Sequence, residues 1–237
     1  MIREEFTFNG LKSMFEELLN NNYKVLTCRE YIEWKQNKSN QKIFVNRVDI
    51  ETSCKKAKVL AEVFNSLNIK ASFFIRLHAE EYNPFSFENY KCLKYIRDTG
   101  HELAYHSEII DQAHIWSEDA RENLIRDINV INRIFNTKID GIASHGGFTG
   151  LNNLDFWNDH KASEFGLLYE GYDKQPEFNL FYESIYISES NIKWKCYKNG
   201  VLMEGVSKTI AEHAKDGYPV LYSLIHPEYF FNSHIYE

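Results

Sequence analysis

Apolar residues along the first part of the chain fall into two rhythms, one helical and one of short continuous runs. Positions 11, 14, 15, 18 and 19 have helical spacing and predict a helix over 11–19, broken by Asn20-Asn21-Asn22. Tyr23 to Leu26 is a short apolar stretch, and Thr27 is placed to cap a second helix over 29–35. After a polar surface loop over 37–41 comes Phe44-Val45-Asn46-Arg47-Val48-Asp49-Ile50-Glu51, an apolar strand that suddenly carries charges. Ser53 caps a helix whose apolar face is Ala57, Leu60, Ala61, Phe64 and Leu67. A second strand over 71–77 carries Arg76 near its end, with His78 just beyond. A helix over 87–97 is closed by Gly100, and a third strand over 101–106 ends in His106. Apolar positions 124, 128, 131 and 135 predict a long helix from Ser117 to near Asn136. Ile139 to Ser144 is a fourth strand, followed at once by His145-Gly146-Gly147.

Beyond residue 150 the pattern weakens. Strands are expected over 165–169, 184–187 and 192–197, the first two separated by a loop with Pro176. A helix is expected over 206–214, and a final strand over 219–225 runs into His226-Pro227. Strands alternating with helices imply a parallel sheet with right-handed crossovers. The expectation is an α/β fold, a distorted or incomplete (β/α) barrel of about seven mostly parallel strands. It forms a single domain over 1–237, with 1–41 as a helical extension packed on it. The weaker region over 150–205 is expected to shape a substrate pocket.

An apolar content of 43% suits a globular chain with a real core. The net charge of −7 disfavours a nucleic-acid surface, so no nucleic-acid partner is expected. The start has no basic region followed by an apolar run, and no stretch approaches the roughly 18 apolar residues of a membrane span. Cys28, Cys54, Cys92 and Cys196 form no CxxC pair and are expected to be free thiols. Together these features predict a cytoplasmic chain without a transmembrane segment.

The chemistry gathers at strand ends. Asp49 and Glu51 are two residues apart, so on a strand they share a face with Arg47. A parallel strand covered on both sides normally reads as continuous Val, Ile and Leu, and charges at its end need a reason. His106, His145 and His226 also end strands, and a parallel barrel brings all such ends to one face. Imidazoles beside carboxylates suit a divalent cation, zinc foremost. Glu108 is a further candidate ligand or base. Arg76 can hold a phosphate or carboxylate, and Tyr105 and Trp157 can stack on a sugar. The competing readings are a structural ion pair for Asp49 and Arg47, a salt bridge for Arg76, and core packing for Tyr105 and Trp157. His101 is expected to point away; His78, His114, His160, His213 and His234 are expected to be solvated or packed.

The order of these residues resembles the polysaccharide deacetylase superfamily, the family 4 carbohydrate esterases and their divergent relatives in surface-polysaccharide biosynthesis. Arg47-Val48-Asp49-Ile50-Glu51 resembles the Asp-x-Asp motif that ends the family's first strand. Gly100-His101-Glu102-Leu103-Ala104-Tyr105-His106 resembles its Gly-His-Glu-(Ile/Leu)-x-x-His motif, and Leu224-Ile225-His226-Pro227 its late apolar-apolar-His motif. Ser144-His145-Gly146-Gly147 resembles the His-Gly-Ser segment of a divergent branch. The resemblance covers roughly 40–230. It implies Asp49 as catalytic base, Glu51 and His106 as metal ligands and His226 as general acid. The family's next ligand, a His four residues after the first, is Ile110 here, so either His145, Glu108 or His114 completes the set or the cation is weak or absent. No Arg-x-Pro motif steadies the base; Arg47 or Arg76 can substitute. The implied activity is a metal-dependent C–N hydrolase that deacylates an amino sugar or related precursor, small or lipid-linked. The alternatives are amide formation or acyl transfer in the same pocket, and a non-catalytic carbohydrate-binding protein.

Overall fold

The computed structural model describes residues 3–37 and 40–233. His234 and residues 38–39 of the polar loop lie outside the described residues. Among the described residues one sheet collects ten strands. They are β1 Lys24–Leu26, β2 Ile43–Ile50, β3 Ser72–Ile75, β4 Glu102–Ser107, β5 Gly141–Ser144, β6 Tyr169–Glu170, β7 Ile185–Glu189, β8 Trp194–Lys198, β9 Val201–Leu202 and β10 Val220–Ile225. The helices are α1 Phe8–Asn20, α2 Cys28–Gln36, α3 Cys54–Ser66, α4 Phe87–Asp98, α5 Ile109–Trp116, α6 Ala120–Phe135, α7 Leu180–Glu183 and α8 Ile210–Asp216.

The strand order is β6-β5-β4-β3-β2-β10-β7-β8-β9, with β1 beside the first half of β2. Every pairing from β6 across to β7 is parallel; β8 and β9 are antiparallel additions. Among the described residues the sheet is not closed, because β6 and β7 do not pair with each other. It is nevertheless strongly curled. In a flat sheet β2 and β6 would lie about 19 Å apart, four strand spacings. Yet a Cβ on Gly171, just past β6, would sit 2.7 Å from Arg47 Nη1 of β2. The Tyr222 hydroxyl of β10 donates to the Gly171 carbonyl at 3.3 Å. Tyr172 Oη lies 3.1 Å from Tyr186 Oη of β7, spanning the unpaired edge.

Curling gives the two faces different jobs. The outer face packs Phe44, Val48, Phe73, Leu103 and Ile142 against the helices. The inner face carries Val45, Phe74, Ala104, Ala143, Tyr186 and Tyr222. Strand alternation puts Arg47 and Asp49 in step with Val45, hence inside. All eight residues of β2 are buried.

Helix starts follow local chemistry. Thr27 and Glu30 form a capping box at α2, and Ser53, Ser86 and Asp119 cap α3, α4 and α6. The long helix expected from Ser117 instead begins at Ala120. Ser117 is the left-handed cap of the preceding α5, which the apolar pattern did not reveal. Over 165–169 only the last residue is strand, because Ala162–Phe165 is a 3-10 turn. The helix expected from Val206 starts at Ile210, behind a Thr209–Glu212 capping box.

Candidate functional site

The strand ends meet at one cavity of about 870 Å3, lined among others by Glu51, Arg76, Glu108, His145, His226 and Glu228. Glu51 follows the last residue of β2, Arg76 the last of β3, His145 the last of β5 and His226 the last of β10. His106 projects from β4, next to them.

Glu51, His106 and His145 each offer a ligand atom within 4.8 Å of the others, a possible metal-binding triad. His106 Nδ1 is 2.9 Å from the Ala143 carbonyl, which only accepts, so Nδ1 bears a proton. His106 Nε2 then faces Glu51 Oε1 at 3.0 Å and Asp49 Oδ2 at 3.3 Å. A neutral nitrogen lone pair aimed at two carboxylates needs positive charge between them, a proton or a cation. Burial pushes the His106 pKa down, but the charge of Asp49 and the Glu51 hydrogen bond outweigh it and raise it. Burial alone would raise Glu51; its hydrogen bonds to His106 and His145 instead hold it well below the carboxylate range. His145 Nε2 lies 3.3 Å from Glu51 Oε2, and its ring stands edge-on to His106 with centroids 5.1 Å apart. Its Nδ1 is 3.5 Å from Glu108 Oε1 without a hydrogen bond, and Glu108 Oε2 is buried without a partner. Two imidazoles and a carboxylate, beside polar atoms left unsatisfied, fit a divalent cation with a position open.

Two arginines brace this cluster. Arg47 grips Asp49 through Nε to Oδ1 at 2.8 Å and Nη2 to Oδ2 at 2.6 Å. Burial raises the Asp49 pKa, but Arg47 and the two nearby histidines prevail and lower it. Asp49 is 1% exposed and lies one pleat below Glu51, against His106 and behind the residues that line the cavity. Arg76 ties Glu51 Oε2 at 3.0 Å to Glu108 Oε1 at 2.6 Å. Its guanidinium lines the cavity but is committed to these carboxylates, so the salt-bridge reading of Arg76 holds alongside any substrate contact.

On the opposite wall Glu189 accepts hydrogen bonds from the His226 amide and ring Nδ1, each 2.6 Å. Burial pushes the His226 imidazole down, yet Glu189, with Asp49 behind it, raises its pKa to about 9. Burial pushes Glu228, on the same wall, up to about 7. Sequence reading missed both acids. Glu189 falls in step with the outward-facing Ile185 and Ile187, so alternation aimed it away from the site.

Two sugar-stacking residues need correction. Tyr105 is fully buried on the outer face, where its hydroxyl donates to Asp127 at 2.8 Å. It alternates with His106 and so points the opposite way. Trp157 does not line the cavity; its Nε1 donates to Ser144 Oγ at 3.0 Å and its ring packs on Phe156 and Phe165. His101 does point away, accepting from the Ala71 amide at 3.1 Å. His114 is exposed and outside the triad; His145 is the third member of it, with Glu108 beside it. The chain matches no protein-family model and no curated protein.

Proposed function

We propose that the chain is a divalent-cation-dependent hydrolase that cleaves the amide of an acylated amino sugar or related carbohydrate. The juxtaposition of the Glu51-His106-His145 donor set with Asp49 and the Glu189-His226 pair carries this reading. The curled sheet is read as a (β/α) barrel left open between β6 and β7, within one domain over 1–237. Glu51, His106 and His145 would hold the cation, with zinc the best match to the donors. When bound, such an ion polarises a carbonyl and lowers the pKa of water.

The chain's own residues supply the rest. Asp49, kept ionised by Arg47, accepts a proton from the attacking water. His226, kept protonated by Glu189, gives a proton to the departing amine. The C–N bond is replaced by a C–O bond, and the products are a carboxylate and an amino sugar. Exposed Trp116 and Phe148 at the cavity rim take the stacking role expected of Tyr105 and Trp157. A small or lipid-linked sugar is the substrate proposed, and four buried free thiols suit a reducing, cytoplasmic setting.

Asp49→Asn is expected to lower deacylation of an N-acyl amino sugar by at least about 100-fold while folding persists. Undiminished turnover would remove Asp49 from the role of base. If Glu108→Gln alone abolished activity, the base would be Glu108, which lines the same cavity and keeps one carboxylate oxygen without a hydrogen bond.

A further inference from the structure

The segment that carries His145 is held by two buried side chains outside the donor set. Asp111 on α5 is fully buried and accepts four hydrogen bonds. Its Oδ1 takes the Thr149 amide at 3.1 Å and the Thr149 hydroxyl at 2.5 Å. Its Oδ2 takes the Phe148 amide at 3.3 Å and Asn153 Nδ2 at 2.7 Å. Asn153, 1% exposed, opens the 3-10 turn Asn153–Asn158. Its Nδ2 also donates to the His145 carbonyl at 3.2 Å. Its Oδ1 accepts the Ile110 and Asp111 amides at 2.9 and 3.1 Å. Those amides open α5, whose own cap residue, Glu108, makes no side-chain cap. The other side of His145 is fixed by its amide, which donates to the Ser107 carbonyl at 2.9 Å.

The chemistry of the segment makes a clasp necessary. Gly146 and Gly147 follow His145 directly, and glycine loses more backbone freedom on ordering than any other residue. Gly147 is also required sterically, since a Cβ there would lie 1.7 Å from the Leu151 carbonyl oxygen. Loop ordering otherwise falls on the ligand's binding energy, and a preorganised loop removes that cost.

The geometry points to Asp111 and Asn153 as positioning residues that fix His145 for the cation. This rests on the metal-site reading above. The N-terminus of α5, where Ile110 offers no ligand, instead holds the segment that does. All four groups facing Asp111 are donors, so Asp111→Asn turns at least one contact into donor against donor. Asn153→Ala releases the His145 carbonyl and uncaps α5.

The test is calorimetric titration of the full chain with zinc alone, alongside thermal unfolding. Asp111→Asn and Asn153→Ala are expected to weaken zinc binding about 10- to 100-fold. Thr149→Val, a milder change that keeps the fold if the others do not, is expected to weaken it less, in the same direction. Tyr105→Phe is the control: it removes a buried hydrogen bond on the outer face, so melting falls while zinc affinity stays. Zinc bound by the folded clasp variants as tightly as by the parent chain would overturn the positioning role alone. No zinc binding by the parent chain would overturn this proposal and the hydrolase reading together.

Discussion

His226 and Glu189 are a test of how one residue sets the chemistry of another. The imidazole stands beside a fully buried carboxylate that meets it at 2.6 Å, and its pKa rises to about 9. An unfolded histidine titrates near 6.5, so the raised His226 pKa favours the folded state fully below about 6.5, as long as Glu189, whose own pKa burial raises, stays ionised. That contribution is lost as pH climbs through about 9. The same shift keeps the proton on His226 where a general acid needs it. The alkaline limb of kcat/KM is therefore expected near pH 9 in the parent chain. Glu189→Gln removes the charge, leaves burial to push the imidazole down, and should move that limb toward neutrality. A pH–rate profile whose alkaline limb stayed in place would dissociate His226 from the proton transfer. Asp49 shows the opposite sign: its pKa is lowered in the fold, so its contribution exists above the ordinary carboxylate range and disappears on acidification.

At the scale of elements, β5 and β6 meet where a glycine is obligatory. Gly141 pairs with Tyr169, and a Cβ at 141 would lie 1.9 Å from the tyrosine Cζ. The ring cannot swing aside easily, being stacked on Phe178 at 4.5 Å with its hydroxyl donating to Glu102 at 2.9 Å. Gly141→Ala is expected to cost about 1–3 kcal/mol in urea unfolding, with part regained when Tyr169 is also changed to Leu. A neutral Gly141→Ala would mean that the ring yields freely. These elements also explain what the sequence could convey. β2, β3, β4, β5 and β10 were legible because each is an apolar run that stops at charged or imidazole side chains. Most of the site was legible with them, since shared strand ends bring Glu51, His106, His145 and His226 together. β6 was not, because two residues cannot display an alternation. Nor was α5, which buries Asp111 and Gln112 while exposing Ile115 and Trp116, the reverse of an amphipathic helix. The direction of β8 is decided by its partner, β7, and leaves no mark in its own apolar pattern.

For the whole molecule, the candidate cation site draws on three separate parts of the curled sheet: the exit from β2, the penultimate residue of β4 and the exit from β5. These positions are 55 and 39 residues apart, taking Glu51 to His106 and His106 to His145. Unfolding scatters them, so a cation that binds all three binds the folded chain and stabilises it by mass action. At a free concentration 100 times Kd the stabilisation is about 2.7 kcal/mol. In a chain of this size about 1 kcal/mol raises Tm by roughly 2–4 °C, so zinc should raise it by about 5–10 °C. A chelator should reverse the rise. The increment should vanish in Glu51→Gln, which removes the negative charge that faces both imidazoles, and persist in Tyr105→Phe, which lies on the other face. A rise of equal size in Glu51→Gln would place the ion elsewhere on this acidic chain. No rise in the parent chain would leave His106 and Glu51 as a buried hydrogen-bonded ion pair, with a proton where the cation was expected.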